Sequence, residues 1–437
     1  MSALQFFTYT EMENDMSWKQ LHEEMTVVDL HTHPSLKSNL FHRDLTVKHA
    51  RKLFGRATWP METRTDFIKM KEGGLDVALS TIYIPEQEWL DDLLLLGLLV
   101  KYLKPSVYRE VFRPTYFDAT INAIREMEEQ IARYNLQVRE GGRKIRVCMT
   151  PNQLKMNLDA GALCFVHSVE GGHSLQGEVS GKRLNDNLMA GDDEIEEELL
   201  ANLEVLRDKG VAYLTLAHFY PNHCVSPVFP YPEHALKWAR KDMKGRWDET
   251  LGLTAIGERV VERIFELGML LDITHCTPAA RARVYELADH HKRQAGVIAT
   301  HLGVARMNTD PINLQDWEVR WIADNGGVVG TIFMNYWLTG ESRHLGVRYI
   351  VDTIRELEDI GGQDVVAFGS DFDGFTDPPD DMRDMTDLPR LTRQLAAEYT
   401  SKGLRDRPQR RWPDEVIRKF MGGNALRVLF EGWKCDE

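Results

Sequence analysis

Residues 252–275 read GLTAIGERVVERIFELGMLLDITH, and this stretch holds one complete structural unit. From Ala255 to Leu267 apolar residues recur three and four apart, the spacing of an amphipathic helix. Met269–Thr274 (MLLDIT) follows as a short apolar run and stops at a histidine, His275. A run with no polar alternation reads as a strand buried on both faces. The same pattern recurs outward in both directions, at Thr26–Leu30, Val77–Ile84, Leu163–Val169, Ala212–Ala217, Val297–Thr300, Val328–Phe333 and Val365–Ser370. Helical stretches lie between them, among them Glu194–Lys209, Pro278–Asp289 and Val347–Ile360. Eight such segments alternating with helices predict an α/β fold of the (β/α)8, TIM-type barrel class rather than two doubly wound halves.

The chain of 437 residues is expected to form one barrel domain over 1–437. Glu86 to Gln153, with a helical pattern at Tyr116–Tyr134, reads as an insertion over the barrel mouth (about 86–153), and Ile417–Phe430, broken at MGGNA, as C-terminal helices (about 413–437). Leu93–Val100 is too short and too interrupted to span a bilayer and reads as a buried helix. The acidic stretch Gly191–Glu198 reads as a helix start on the surface. Hydrophobic residues at 43% and charged residues at 27% support a sizeable core, and the formal charge of −14 argues against nucleic acid or an anionic membrane as the partner. A small-molecule partner is expected. Five cysteines without a C-x-x-C pair, and an N-terminus without a basic region or apolar signal core, lead us to expect reduced thiols and a cytoplasmic protein.

Barrel enzymes build their sites at the C-terminal ends of the strands. There the chain places His31 and His33 after the first segment, Glu170 after the third, His218 after the fourth, His275 after the fifth, His301 after the sixth and Asp371 after the eighth. Any one such histidine is more often structural, but the joint pattern is that of a divalent-metal site, since imidazole and carboxylate are the ligands zinc takes. A carboxylate among histidines can bridge two ions, and such a pair polarises a carbonyl and activates water near neutral pH. No G-x-S-x-G elbow, P-loop or G-x-G-x-x-G opening a helix is present, so no serine nucleophile or nucleotide site competes with this reading.

The stretches VVDLHTH, SVEGGHSL (168–175), YLTLAH (213–218), the 252–275 stretch, VIATH (297–301), FGSDFDG (368–374) and GGNALRVL (422–429) resemble the renal (membrane) dipeptidase family of the metal-dependent amidohydrolase superfamily. The resemblance runs from about residue 25 to residue 430. It implies a barrel, usually a homodimer, that hydrolyses dipeptides with two zinc ions. By the same resemblance His31 is the first-strand ligand, Glu170 the bridging carboxylate, His275 and His301 ligands of the second ion, and Asp371 a ligand that also handles the proton. His218 resembles the histidine facing the developing oxyanion, Arg306 the arginine gripping the substrate carboxylate, and Tyr336, in FMNYW, the tyrosine after the seventh strand.

Three features depart from the family pattern. His31-Thr32-His33 replaces the usual His-x-Asp, so His33 is expected as a ligand whose neutral imidazole leaves the first ion more positive. The spacing from His301 to Arg306 is short, and YPNHCVSPVFPYP (220–232) replaces the usual continuation after His218. Arg306 therefore reads equally as a surface ion-pair residue, and Tyr336 equally as a lining residue. Asp373, His173 and His167 read as neighbours of the ligands or satisfied core groups, and Trp59, Tyr83 and Trp89 as packing or pocket lining. His223 and Cys224 have no spacing that makes them ligands. The expected function is a zinc-dependent hydrolase cleaving a small dipeptide, with hydrolysis of another amide, N-acyl amino acid or lactone, or a catalytically silent metal-binding scaffold, as alternatives.

Overall fold

A computed structural model describes residues 17–50, 62–92, 101–102, 104–182, 192–230, 247–293, 295–340, 346–374, 376–397 and 411–434. Among the described residues nine strands form one parallel sheet: β1 Val28–Thr32, β2 Val77–Tyr83, β3 Ile145–Val147, β4 Leu163–Glu170, β5 Tyr213–Thr215, β6 Leu270–Asp272, β7 Val297–Leu302, β8 Val329–Thr331 and β9 Val366–Phe368. Eight of them run in the order β1-β2-β4-β5-β6-β7-β8-β9, one for each predicted segment. The ends of that order meet, because Thr32 bridges Phe372 in parallel and the Asp371 amide donates to the His31 carbonyl over 2.9 Å. The barrel is thus nearly closed, with helices between its strands.

The eight barrel strands are buried on both faces, which is why their sequences read as unbroken apolar runs. Alternation separates the two faces all the same. Ala78 and Ile82 join the outer core beneath the helices, whereas Val77 and Leu79 point inward with Tyr213, Leu270 and Ile298. That inner cluster is completed by Val428, Leu429 and Trp433, so the C-terminal helix Asn424–Glu431 and the residues after it pack against the lower ends of the strands. MGGNA overlaps a π-helical turn, Lys419–Gly423, between two short helices.

The helices start where their caps say they should. Thr254, Thr277, Thr115 and Asp192 each accept a hydrogen bond from the amide three residues on, and Pro278 follows Thr277 in the first helical position. These define Ala255–Glu266, Pro278–His291, Tyr116–Gln137 and Asp193–Asp208, close to the predicted stretches.

The 86–153 segment divides in two. Its first residues reach over the mouth, as described below, while the Tyr116–Gln137 helix packs beside β2, β3 and the Pro34–Phe41 helix. Strand β3 was not foreseen: it has three residues, one of them exposed, and gains its identity only by pairing with Leu163–Phe165 of β4. Leu93–Val100, Trp59 and Cys435 lie outside the described residues. Among the described residues no helix is long and apolar enough to cross a membrane.

One buried ion pair ties the helix after β6, Pro278–His291, to the helix after β7, Asp316–Asp324. Arg281 donates to Glu318 through Nε (2.7 Å) and Nη2 (3.1 Å) and to the carbonyl of Cys276 through Nη1 (2.8 Å), with both side chains 1% exposed. Glu318 also accepts from the Gln315 amide, capping its own helix. Removing the cation leaves a buried carboxylate unpaired, so Arg281→Met is expected to cost about 3–5 kcal/mol. Urea unfolding of the metal-loaded protein measures this, and a loss below about 1 kcal/mol would mean the pair is as weak as a surface bridge.

Candidate metal centre

Barrel closure brings the strand-end residues onto one buried carboxylate. Glu170 ends β4, and its Oε1 lies 3.3 Å from His31 Nε2, 3.3 Å from His275 Nε2 and 3.4 Å from His301 Nε2. Its Oε2 lies 3.3 Å from His33 Nε2 and 3.4 Å from His218 Nε2. Asp371 Oδ1 sits 3.1 Å from His33 Nε2 and 3.9 Å from His31 Nε2. The backbone is shaped to aim these groups. Register shifts interrupt the ladders between Asp29 and Thr32 and between Ala299 and Leu302, the irregularities that re-aim a strand side chain, here those of His31 and His301. His275 (φ 66°) and Asp371 (φ 52°) occupy the left-handed region, which non-glycine residues enter at a cost and typically at functional sites.

The donor set fits divalent ions. Three overlapping groups, His31–His33–Glu170, His31–His301–Asp371 and Glu170–His275–His301, each have ligand atoms within 4.8 Å of one another, and all are buried. His31 and His33 face each other Nε2 to Nε2 at 2.9 Å, as do His275 and His301 at 3.2 Å. Glu170 Oε1 is buried yet has no hydrogen bond among the described residues. Ligand atoms crowded together with unspent lone pairs are what a cation satisfies.

Electrostatics point the same way. Burial alone would push the His33 pKa down, but Asp371 and Glu170 beside it raise it to about 10. Burial likewise opposes ionisation of Glu170, yet His218, His31 and their neighbours hold it well below the usual carboxylate range. The two carboxylates thus demand positive charge at this point, and a metal ion supplies it without a buried proton.

A ring of polar side chains orients the ligands. His31 Nδ1 meets Tyr213 Oη at 2.9 Å and Thr300 Oγ1 at 3.1 Å, and His301 Nδ1 meets Thr300 Oγ1 at 2.8 Å. Asp272, inside the barrel, accepts from the hydroxyls of Thr215, Thr274 and Thr300, each at 2.7 Å. Such partners fix the rings whose Nε2 atoms could meet a metal ion.

The structure brings together His31, His33, Glu170, His218, His275, His301 and Asp371, and treats the other candidates differently. The Arg306 guanidinium is engaged by Asp316, with Nε 2.8 Å from Oδ1, and by Glu356, with Nη1 3.3 Å from Oε2. The ion-pair reading of Arg306 therefore describes its state here. Tyr336 is half-buried against the apolar body, and it is its neighbour Trp337 whose ring stacks on His301 at 6.1 Å and meets His275 edge-on at 5.2 Å. Asp373 accepts from the amides of Arg64 and Thr65, His173 Nε2 donates to the Ile84 carbonyl, and His223 bonds the Ser180 carbonyl. His167 is fully buried with a pKa lowered to about 4 by burial. The sequence offers Glu86 only as the start of an insertion and Tyr83 as packing or pocket lining, whereas both contact His218.

Fold and centre together define a (β/α)8 barrel built around a buried cluster of imidazole and carboxylate groups that could hold metal ions. The chain belongs to the membrane dipeptidase family (Peptidase family M19), which it matches over residues 16–186 and 188–433. It is 33% identical over 193 residues to the uncharacterized protein in the pqqA 5'region of Klebsiella pneumoniae, covering 44% of this chain and 65% of that one. It is 25% identical over 302 residues to human (Homo sapiens) Dipeptidase 3, covering 67% of this chain and 51% of that protein. The chain thus spans between half and two thirds of the length of these curated relatives. Its fold is shared with a metallo peptidase from Rhodobacter sphaeroides solved with a phosphinate mimic of the dipeptide L-Ala-D-Ala, at a TM-score of 0.65 and 20% identity over 94% of this chain and 99% of that one.

Proposed function

We propose that this protein hydrolyses the amide bond of small dipeptides with two zinc ions. The observation that carries this reading is the sharing of Glu170 between two groups of imidazole ligands, with His218 Nε2 on the remaining edge of the same carboxylate, 3.4 Å away. His31, His33, Glu170 and Asp371 would hold one ion, and Glu170, His275 and His301 the other; all-nitrogen-and-oxygen donors at this spacing suit zinc. Bound there, the ions would polarise the scissile carbonyl and lower the pKa of water.

The chain's own groups supply the rest. Asp371 Oδ1 is the carboxylate oxygen placed to collect the proton released in attack and deliver it to the leaving nitrogen, which cannot depart as an anion. His218 presents Nε2 to the position where negative charge develops on the carbonyl oxygen. Phe219, its ring centroid 3.9 Å from that of His218, and Trp337 over the ligand histidines keep the mouth apolar around these charges. One observation favours the wider substrate reading: with Arg306 engaged by two carboxylates, a free C-terminal carboxylate loses its expected partner.

A panel of L,L and L,D dipeptides, their C-terminal amides, N-acyl amino acids and lactones, assayed on zinc-reconstituted protein, separates the readings. Dipeptide turnover above the others supports the proposal. A preference for lactones or N-acyl amino acids would move the substrate class, and no turnover of any of them at full metal loading would leave a metal-binding scaffold.

His33 allows a sharper check. His33→Asp restores a carboxylate at the family position and is expected to retain turnover, whereas His33→Ala should release one ion at a chelator concentration the parent withstands. Equal zinc content and kcat in His33→Ala and parent would remove His33 from the ligand set.

A further inference from the structure

Outside the ligand set a further buried carboxylate, Glu86, 2% exposed, stands three residues beyond the end of β2. Its Oε1 lies 3.2 Å from His218 Nδ1 and accepts from the Phe219 amide at 3.1 Å, and its Oε2 accepts from the Tyr83 hydroxyl at 2.5 Å. The His218 ring is held from two sides, by Tyr83 with centroids 4.1 Å apart and by Phe219 at 3.9 Å. Its other nitrogen, Nε2, faces Glu170. Two further titratable groups act on Glu86 among the described residues, His173 with Nδ1 4.0 Å away and Tyr116 through its charge.

We propose that Glu86 is the positioning residue for His218: its carboxylate accepts the Nδ1–H and fixes the ring so that Nε2 faces the bridging carboxylate. This rests on the dipeptidase reading above only for its consequence in catalysis. The geometry is that of a buried acid behind a working imidazole, where the acid sets tautomer and orientation and stabilises the ring when it carries charge. A ring that holds Nδ1–H and also donates from Nε2 is positive, and a carboxylate behind it offsets that charge in a site shielded from water. Burial opposes ionisation of Glu86, but His173 and His218 bring its pKa down to about 2, so the carboxylate is charged across the working range. Pro85 precedes it and restricts Ile84 to extended backbone, which turns the chain out of β2 and leaves Glu86 directed across the mouth toward β5.

The test compares zinc-loaded parent, Glu86→Leu and Glu86→Gln, with nitrogen-15 histidine labelling to observe ring N–H protons and His218→Gln to assign the His218 resonance. Expected in the parent is a hydrogen-bonded Nδ1–H signal that vanishes in His218→Gln. Glu86→Leu should abolish that signal and lower kcat about 10–100-fold with KM changed less than about threefold and zinc content unchanged. Glu86→Gln, which keeps an acceptor but no charge, should keep the signal and still lose about tenfold in kcat. The proposal is overturned if the Nδ1–H signal survives in Glu86→Leu, if either variant has parental kcat, or if kcat falls only in proportion to lost zinc. Should the parent fail to cleave dipeptides, the functional reading falls, while the ring signal still decides whether Glu86 holds His218.

Discussion

Glu170→Gln is expected to empty both ion positions at once and to abolish measurable turnover. The two oxygens of Glu170 together reach His31, His33, His275 and His301, at 3.3 to 3.4 Å. Replacing the carboxylate by an amide of the same shape removes a full negative charge and turns one acceptor oxygen into a donor nitrogen aimed at imidazole nitrogens. Neither ion then has a shared anionic ligand, and the four histidines are left facing one another. Zinc content after dialysis against a weak chelator should fall from two per chain in the parent toward zero. His275→Ala, which touches one group only, should keep one ion. Two tightly held ions in Glu170→Gln would show that Glu170 does not bridge, and loss of one alone would assign it to a single position.

Asp371→Asn should separate metal binding from proton transfer. Asn tolerates the left-handed backbone at φ 52° as well as Asp does, so the variant adds no strain. The ligand role is partly retained through the amide oxygen, with His31 and His33 still in place beside it. The proton role is not retained, because an amide cannot take up and return a proton near neutral pH. General acid–base catalysis is typically worth about 10²–10⁴-fold, and kcat should drop by that order at a zinc content matched to the parent. Near-parental kcat in metal-loaded Asp371→Asn would assign the proton to another group; a fall in kcat that zinc titration fully restores would make Asp371 a ligand alone.

Much of this site is legible along the chain because each candidate ligand stands at or just past the end of an apolar run. His31, Glu170, His275, His301 and Asp371 can be picked out one after another, since a polar residue at the C-terminal end of a strand buried on both faces stands out against the apolar run before it. The pairings carry no such mark. Glu86 lies 132 residues from His218 in sequence and looks like one acid among several in PEQEWLDD. Arg306 is a plausible anion grip in sequence, yet folding places Asp316 and Glu356 on it. Tyr336 and Trp337 are adjacent aromatics, and which ring covers the histidines depends on the local helix Asn335–Thr339.

The sequence by itself determined the barrel class, the eight strand ends and the residue types that can hold metal. All of these are local properties: hydrophobic periodicity, capping residues and the chemistry of single side chains. Tertiary structure alone decided which candidate ligands crowd around Glu170, that His33 lies beside Asp371, that Glu86 stands behind His218 and that Arg306 is already paired. Those facts depend on closure of the sheet between Thr32 and Phe372 and on bulges that turn His31 and His301 by one position. Distances of a few ångströms between residues more than a hundred positions apart are set by how the strands register around the barrel, and no short window of sequence encodes that register.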